Sequence, residues 1–214
     1  MVFNGFKEND FDVFAVEGLD NRMDALKTTV RPKLEEIGSH FKSVLTEQTG
    51  EEVFFHVAKH ARRKVNPPED TWVAFSNNNR GYKKLPHFQI GLFGSHLFVW
   101  FAVIYESPVK QELGREFQQS LDDIHSQVPS SFEWSVDHTK PQTISHANLS
   151  KEELNKIFSR LETVKKAELL CGITIDASAP VLKDGDALLG EIEKTFSQLM
   201  PLYRASMNLY EQKV

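Results

Sequence analysis

Apolar side chains recur every three or four residues from Leu19 through Met23, Leu26, Val30, Leu34, Ile37 and Phe41 to Leu45, the period of an amphipathic helix. Pro32 falls inside this run, which predicts either a kink or a second helix with the proline in its first turn. Gly50 ends the segment. Four runs rich in aromatic and β-branched residues then predict strands over Val53–Ala58, Thr71–Ser76, Pro86–Phe93 and Leu97–Tyr105. The last two are joined by a short, glycine-bearing turn at Gly94-Ser95, as in an antiparallel hairpin. Residues 77–81, Asn-Asn-Asn-Arg-Gly, read as a turn, and Asn66-Pro67-Pro68 excludes helix or central strand between the first two runs.

Helical spacing returns at Leu113, Phe117, Leu121 and Ile124 and stops near Pro129, and a strand follows over Phe132–Val136. Ser150 and Glu153 form a capping box that opens a helix carrying Leu154, Ile157, Phe158 and Leu161. A strand over Ala167–Ile175 and a helix from about Asp186 past Pro201 complete the chain. Helices flank a mostly consecutive block of antiparallel strands, which is the α+β pattern, and no linker or low-complexity tract divides residues 1–214 into more than one domain.

Composition adds limits. A hydrophobic fraction of 40% and a charged fraction of 26% over 214 residues describe an ordinary folded chain. The single cysteine, Cys171, lies in an apolar run and excludes an internal disulfide; it reads as a buried, inert thiol. The first residues show neither the charged nor the apolar region of a signal sequence, and the longest apolar run, Leu97–Tyr105, falls short of the roughly 20 residues that span a bilayer. A cytoplasmic protein without a membrane segment is expected.

Charge is unevenly placed. The net value is −5, yet Lys59, Arg62, Arg63, Lys64, Arg80, Lys83 and Lys84 face only Glu69 and Asp70 between positions 59 and 84. A basic patch on an acidic chain fits a localised anionic partner better than a general coat on nucleic acid. Arginine grips phosphate or carboxylate with two donors, and Trp72 and Tyr82 nearby could stack on a base or sugar. Set against this, charge runs are usually solvated surface.

Strand alternation sorts the polar residues by face. His87 and Gln89 lie opposite Phe88, Ile90 and Leu92, and His56 lies opposite Phe55 and Val57. His56 and His87 are thus expected side by side, with Gln89 and Trp100, on a face that needs a second cover: a ligand, another copy of the chain, or a further part of the protein. The two histidines would hydrogen-bond a ligand or exchange protons near neutral pH; the plainer reading is a pair of satisfied, semi-buried side chains. His56 and His60 have the spacing of a helical metal pair, but the segment reads as strand and no third ligand accompanies them, so no metal is expected. Walker, dinucleotide-binding, nucleophile-elbow and C-x-x-C motifs are absent, and no cofactor is implied.

The segments HVAKHARRKVNPPEDTW, RGYKKLPHFQIGLF and FVWFAVIYE, with Phe11–Met23 before them, resemble the YktB-like proteins of Gram-positive bacteria over essentially the whole chain. That resemblance implies a cytoplasmic α+β protein of a family of unknown function, with a curved antiparallel sheet backed by helices similar to the TATA-binding-protein-like class. It names no activity.

The residues favour a non-enzymatic binding protein for a nucleotide, sugar phosphate or carboxylate, with His56, His60, Trp72, Tyr82, His87, Gln89 and Trp100 in the pocket and Arg62, Arg63, Arg80 and Lys83 gripping the anion. The alternatives are a nucleic-acid interaction module on the Lys59–Lys84 cluster, an enzyme using histidine as acid and base, and a homodimer through the apolar strand face.

Overall fold

A computed structural model describes residues 3–213; Met1 and Val2, part of the stretch read above for a signal sequence, lie outside the described residues, as does Val214. Seven helices are α1 (Glu8–Asp12), α2 (Leu19–Ala25), α3 (Arg31–Thr49), α4 (Lys110–Gln119), α5 (Leu121–Gln127), α6 (Lys151–Thr163) and α7 (Gly185–Lys213). Seven strands are β1 (Phe54–Val57), β2 (Asp70–Ser76), β3 (His87–Phe93), β4 (His96–Val103), β5 (Glu133–Ser135), β6 (Ile144–Ser145) and β7 (Leu169–Asp176). They form one open, curved antiparallel sheet in the order β1-β2-β3-β4-β7-β5-β6, so the protein is α+β.

The predicted helix over residues 19–45 resolves into α2, one π-helical segment at Leu26–Val30, and α3, with Pro32 in the first turn of α3. A proline cannot donate to the preceding turn, and the wider π turn absorbs that missing bond without breaking the run. Leu34, Ile37, Phe41 and Leu45 are buried on the inner stripe of α3. Gly50, at φ 79°, closes it in the left-handed conformation and donates to the Thr46 carbonyl. The single helix expected over residues 113–127 is two, because Ser120, at φ −98° and ψ 19°, leaves the helical region between α4 and α5. The capping box at Ser150 and Glu153 forms as expected. Helix α7 continues through Pro201, held on both sides by buried Leu199, Met200, Leu202 and Tyr203. Elements α1 and β6 are too short to leave a periodic signal.

One face of the sheet meets the helices. Phe75, Phe88, Ile90, Val99, Phe101 and Cys171 project into a core shared with α3 and α7, where Phe41 lies 5.4 Å from Phe196 and Phe88 stacks on Tyr203 at 4.8 Å between ring centroids. Burial pushes the Cys171 thiol well above its ordinary pKa, as expected of an inert core cysteine. Among the described residues no helix is long and apolar enough to cross a membrane.

The far face carries Trp72 on β2, His87, Gln89 and Gly91 on β3, Phe98 and Trp100 on β4, and Leu170 and Gly172 on β7. Phe98 pairs directly with Gly91, and Trp100 with Gly172. A side chain at Gly91 would begin 2.3 Å from the Phe98 ring and 2.5 Å from the Thr71 carbonyl, so the glycine is what lets that ring lie flat on the neighbouring strand. The sequence pattern asks for an outside cover here, but the chain supplies much of its own. The β2–β3 loop lays Tyr82 against His87, with ring centroids 4.9 Å apart. The segment after β5 turns back across the sheet until His138 stands 6.2 Å from Trp72, although three strands separate β5 from β2.

Candidate functional site

Because side chains alternate along β2, Asp70 and Trp72 share the far face. Above them stand the β1–β2 loop, the β2–β3 loop and the segment after β5. Together these border an open cleft of about 440 Å³. Its floor is Asp70, Trp72 and Tyr82, its walls are His60 and His138, and its rim holds Lys59, Arg62, Arg63 and Lys83. Lys83 pairs with Glu106 at 3.2 Å; among the described residues Lys59, Arg62 and Arg63 form no ion pair. Residues 61–66 are exposed, so both arginines extend from the loop into water at the mouth.

The floor is tied together by hydrogen bonds. The Trp72 indole N–H donates to the Tyr82 hydroxyl at 2.9 Å, and burial pushes the Tyr82 phenol up to about 12, so it stays protonated. His60 has a backbone φ of 49°, rare outside glycine, and its Nε2 meets Thr71 Oγ1 at 3.2 Å. This conformation turns the loop sharply: the Arg63 N–H donates to the His60 carbonyl at 3.0 Å, which sets the two arginines at the tip. Burial, helped by the Arg63 charge, lowers His60 to about 4 and keeps it neutral.

On the other wall, His138 Nδ1 lies 2.6 Å from Glu168 Oε2, and that carboxylate also accepts from the backbone N–H groups of His138 and Tyr105. Burial opposes the charged imidazole, but the hydrogen bond and charge of Glu168, with Asp70 and Asp137, outweigh it and raise the His138 pKa. Asp70 is 5% exposed. Burial raises its carboxyl to about 6 despite the opposing charges of His138 and Arg63. The cleft thus sets a wall imidazole held toward its charged form, His138, near a floor carboxyl raised to about 6, Asp70, beside the aromatic rings.

The structure gathers six of the residues singled out by sequence, His60, Arg62, Arg63, Trp72, Tyr82 and Lys83, at this cleft. His56 and Arg80 instead line a second, more open cleft of about 540 Å³ that shares Lys59, Tyr82 and Lys83 with the first. His87, Gln89 and Trp100 are buried at 0%, 2% and 4% exposure beneath the loops. His56 and His87 do not stand side by side, because the Tyr82 ring lies against both. His87 donates from Nδ1 to the Leu85 carbonyl at 2.7 Å and accepts from Gln89 at Nε2 at 2.8 Å. With its pKa lowered to about 4 by burial, the ring stays neutral and does not change charge near neutral pH. The His56 ring donates to the Asn78 carbonyl, away from His60.

Asp70 and His138, with Glu168 that binds His138, are residues of the site that sequence reading passes over. For Asp70 a signal existed: it stands two residues before Trp72 at a strand start, so alternation places both on one face. For His138 and Glu168, 30 residues apart in sequence, none did. Asp137, His138 and Glu168 also offer metal-type donor atoms within 4.8 Å of one another. Glu168 already binds His138, and Asp137 Oδ1 accepts from the Thr139 N–H and hydroxyl, so the group acts as a clip that holds the crossing segment down.

The family described as "Domain of unknown function (DUF1054)" matches residues 6–203. A UPF0637 protein of Bacillus licheniformis is 55% identical over 204 residues, covering 95% of this chain and 97% of that protein. A UPF0637 protein of Bacillus cereus is 53% identical over 203 residues, covering 95% and 98%. One of Bacillus velezensis is 54% identical over 198 residues, covering 92% and 94%.

Proposed function

The chain belongs to the DUF1054 family, whose description names no activity, and from its own cleft we propose that it is a non-enzymatic binding protein, acting in the cytoplasm, for a small anionic ligand such as a nucleotide, sugar phosphate or carboxylate. The observation that carries this reading is the meeting of two arginines, without an ion pair among the described residues, with an aromatic floor: Arg62 and Arg63 stand at the mouth of an open cleft of about 440 Å³ built on Trp72 and Tyr82. A cleft of this size holds a metabolite, and guanidinium groups in water at its edge suit a phosphate or carboxylate. A single cysteine, buried and free, is what a reducing compartment permits.

The test is thermal melting against nucleotides, sugar phosphates and small carboxylates. A ligand at about 100 times its dissociation constant adds roughly 2.7 kcal/mol, or about 5–10 °C for a chain of this size. The R62A/R63A double variant should melt where the wild type does without ligand and lose most of that shift with it. An undiminished shift in the double variant would remove the arginines from the reading.

A second reading rests on the adjoining cleft. Arg80 and Lys84 line it, and Lys59, Tyr82 and Lys83 form the wall common to both, so a continuous basic track runs past Tyr82. A single-stranded nucleic acid would follow such a track, and its affinity would fall steeply with salt. A metabolite confined to the first cleft would depend on salt far less.

A further inference from the structure

Every other carboxylate buried as deeply in this fold is supplied with donors by the fold itself. Asp10, 2% exposed, accepts from Lys33 Nζ and from the Lys7 backbone N–H. Glu168, 4% exposed, accepts from His138 Nδ1 and from the backbone N–H groups of His138 and Tyr105. Asp70, at 5% exposure, is the exception: among the described residues no other residue donates to its carboxylate, which accepts from its own backbone N–H. Among the described residues it is also the only carboxylate lining the cleft, and strand alternation aims it there beside Trp72.

Building on the anion-binding reading above, we propose that the ligand carries, at the end opposite its anionic group, an N–H donor that the Asp70 carboxylate receives. The donor is an ammonium or a paired N–H edge of the kind found on an amidine or a guanine ring. The Asp70 carboxylate is largely buried, opens onto the cleft and receives no donor from another of the described residues, so a ligand that supplies one adds a charge-assisted hydrogen bond on binding. The groups facing Asp70 do not fill that role. His138 from the segment after β5, Arg63 from the β1–β2 loop and Glu69 beside it act on it through their charges, the Tyr82 phenol from the β2–β3 loop stays neutral, and burial still prevails, leaving the carboxyl at about 6. At pH 7.5 it is ionised and short of partners. The cleft is therefore polarised, with cations at the mouth and one acceptor at the floor, and selects a ligand with the complementary polarity.

Calorimetric titration of the full chain at pH 7.5 with ethyl phosphate, 2-aminoethyl phosphate and guanosine 5′-monophosphate tests this, using wild type and D70N. Ethyl phosphate reports the rim alone; the other two separate an ammonium from a paired N–H edge. At least one donor-bearing probe should bind wild type about 10- to 100-fold more tightly than ethyl phosphate, as a charge-assisted hydrogen bond provides. In D70N the advantage of the donor-bearing probe over ethyl phosphate, each measured on the same variant, should shrink to within about threefold. If ethyl phosphate binds and the donor probes gain nothing, or their gain survives in D70N, the role of Asp70 is refuted and the anion site stands. If none of the three binds at millimolar concentration, both readings fall. Should D70N fail to fold, wild type decides: the donor advantage must shrink as pH falls from 7.5 to 5 and Asp70 takes up a proton, and an advantage that stays constant overturns the proposal.

Discussion

His87 is enclosed on every side, with its Nδ1 proton on the Leu85 carbonyl, its Nε2 facing Gln89 and the Tyr82 ring against it. Its pKa is lowered to about 4, below the ordinary histidine value of 6.5, so the unfolded chain binds the proton more readily than the folded one. The stability it contributes is complete above pH 6.5 and is lost as pH falls through 4. Urea denaturation of wild type and H87Q at pH 7 and pH 4 should show the wild-type advantage shrinking by on the order of 3 kcal/mol. A constant gap would mean that His87 is reached by water. His138 works in the opposite sense: its raised pKa makes the Glu168 pair contribute fully below 6.5 and fade as pH rises above that. At this scale the basic residues were legible because charge runs are visible in one dimension. The face of Asp70 was legible too, from its spacing to Trp72, but its lack of a partner was not, because partners are a property of space.

At the scale of elements, the central strands declared themselves. β2, β3 and β4 are buried on both faces, and aromatic and β-branched runs bounded by turn residues leave few other readings. Capping chemistry likewise fixed the start of α6 and the end of α3. What the pattern could not show was the far-face cover, because the loops that provide it have no period. The aromatic–glycine pairs make this layer sensitive to small additions. The G91A variant places a methyl against the Phe98 ring, the Thr71 carbonyl and the Trp72 Cβ at once, two of which belong to the strand that floors the cleft. It should cost about 1–3 kcal/mol in chemical denaturation and shift the tryptophan emission. A neutral result would show that β2 and β3 can separate locally without disturbing the sheet.

Over the whole molecule, the folding pattern divides labour between the two faces. The helix face collects a core that draws on residues from Phe3 to Met207, while the far face gathers the chemistry on three loops. Two of those loops flank β2, and the clip between His138 and Glu168 fastens the third, the segment after β5. An apolar strand face had suggested a second copy of the chain as its cover. With Phe98, Trp100 and Leu170 each at most 4% exposed, that reason is gone.

The exposed run at residues 61–66 has a practical consequence. It places two arginines and a lysine in succession on a loop whose backbone is open to a protease, and those arginines line the cleft. A compound seated there would shield the same peptide bonds that trypsin attacks first. Occupancy can therefore be read as a delay in nicking after Arg62, Arg63 or Lys64, and a compound mixture can be screened by the fragment pattern on a gel before any ligand has been named. A mixture that stabilises the fold yet leaves the nicking rate unchanged would be acting elsewhere on the molecule.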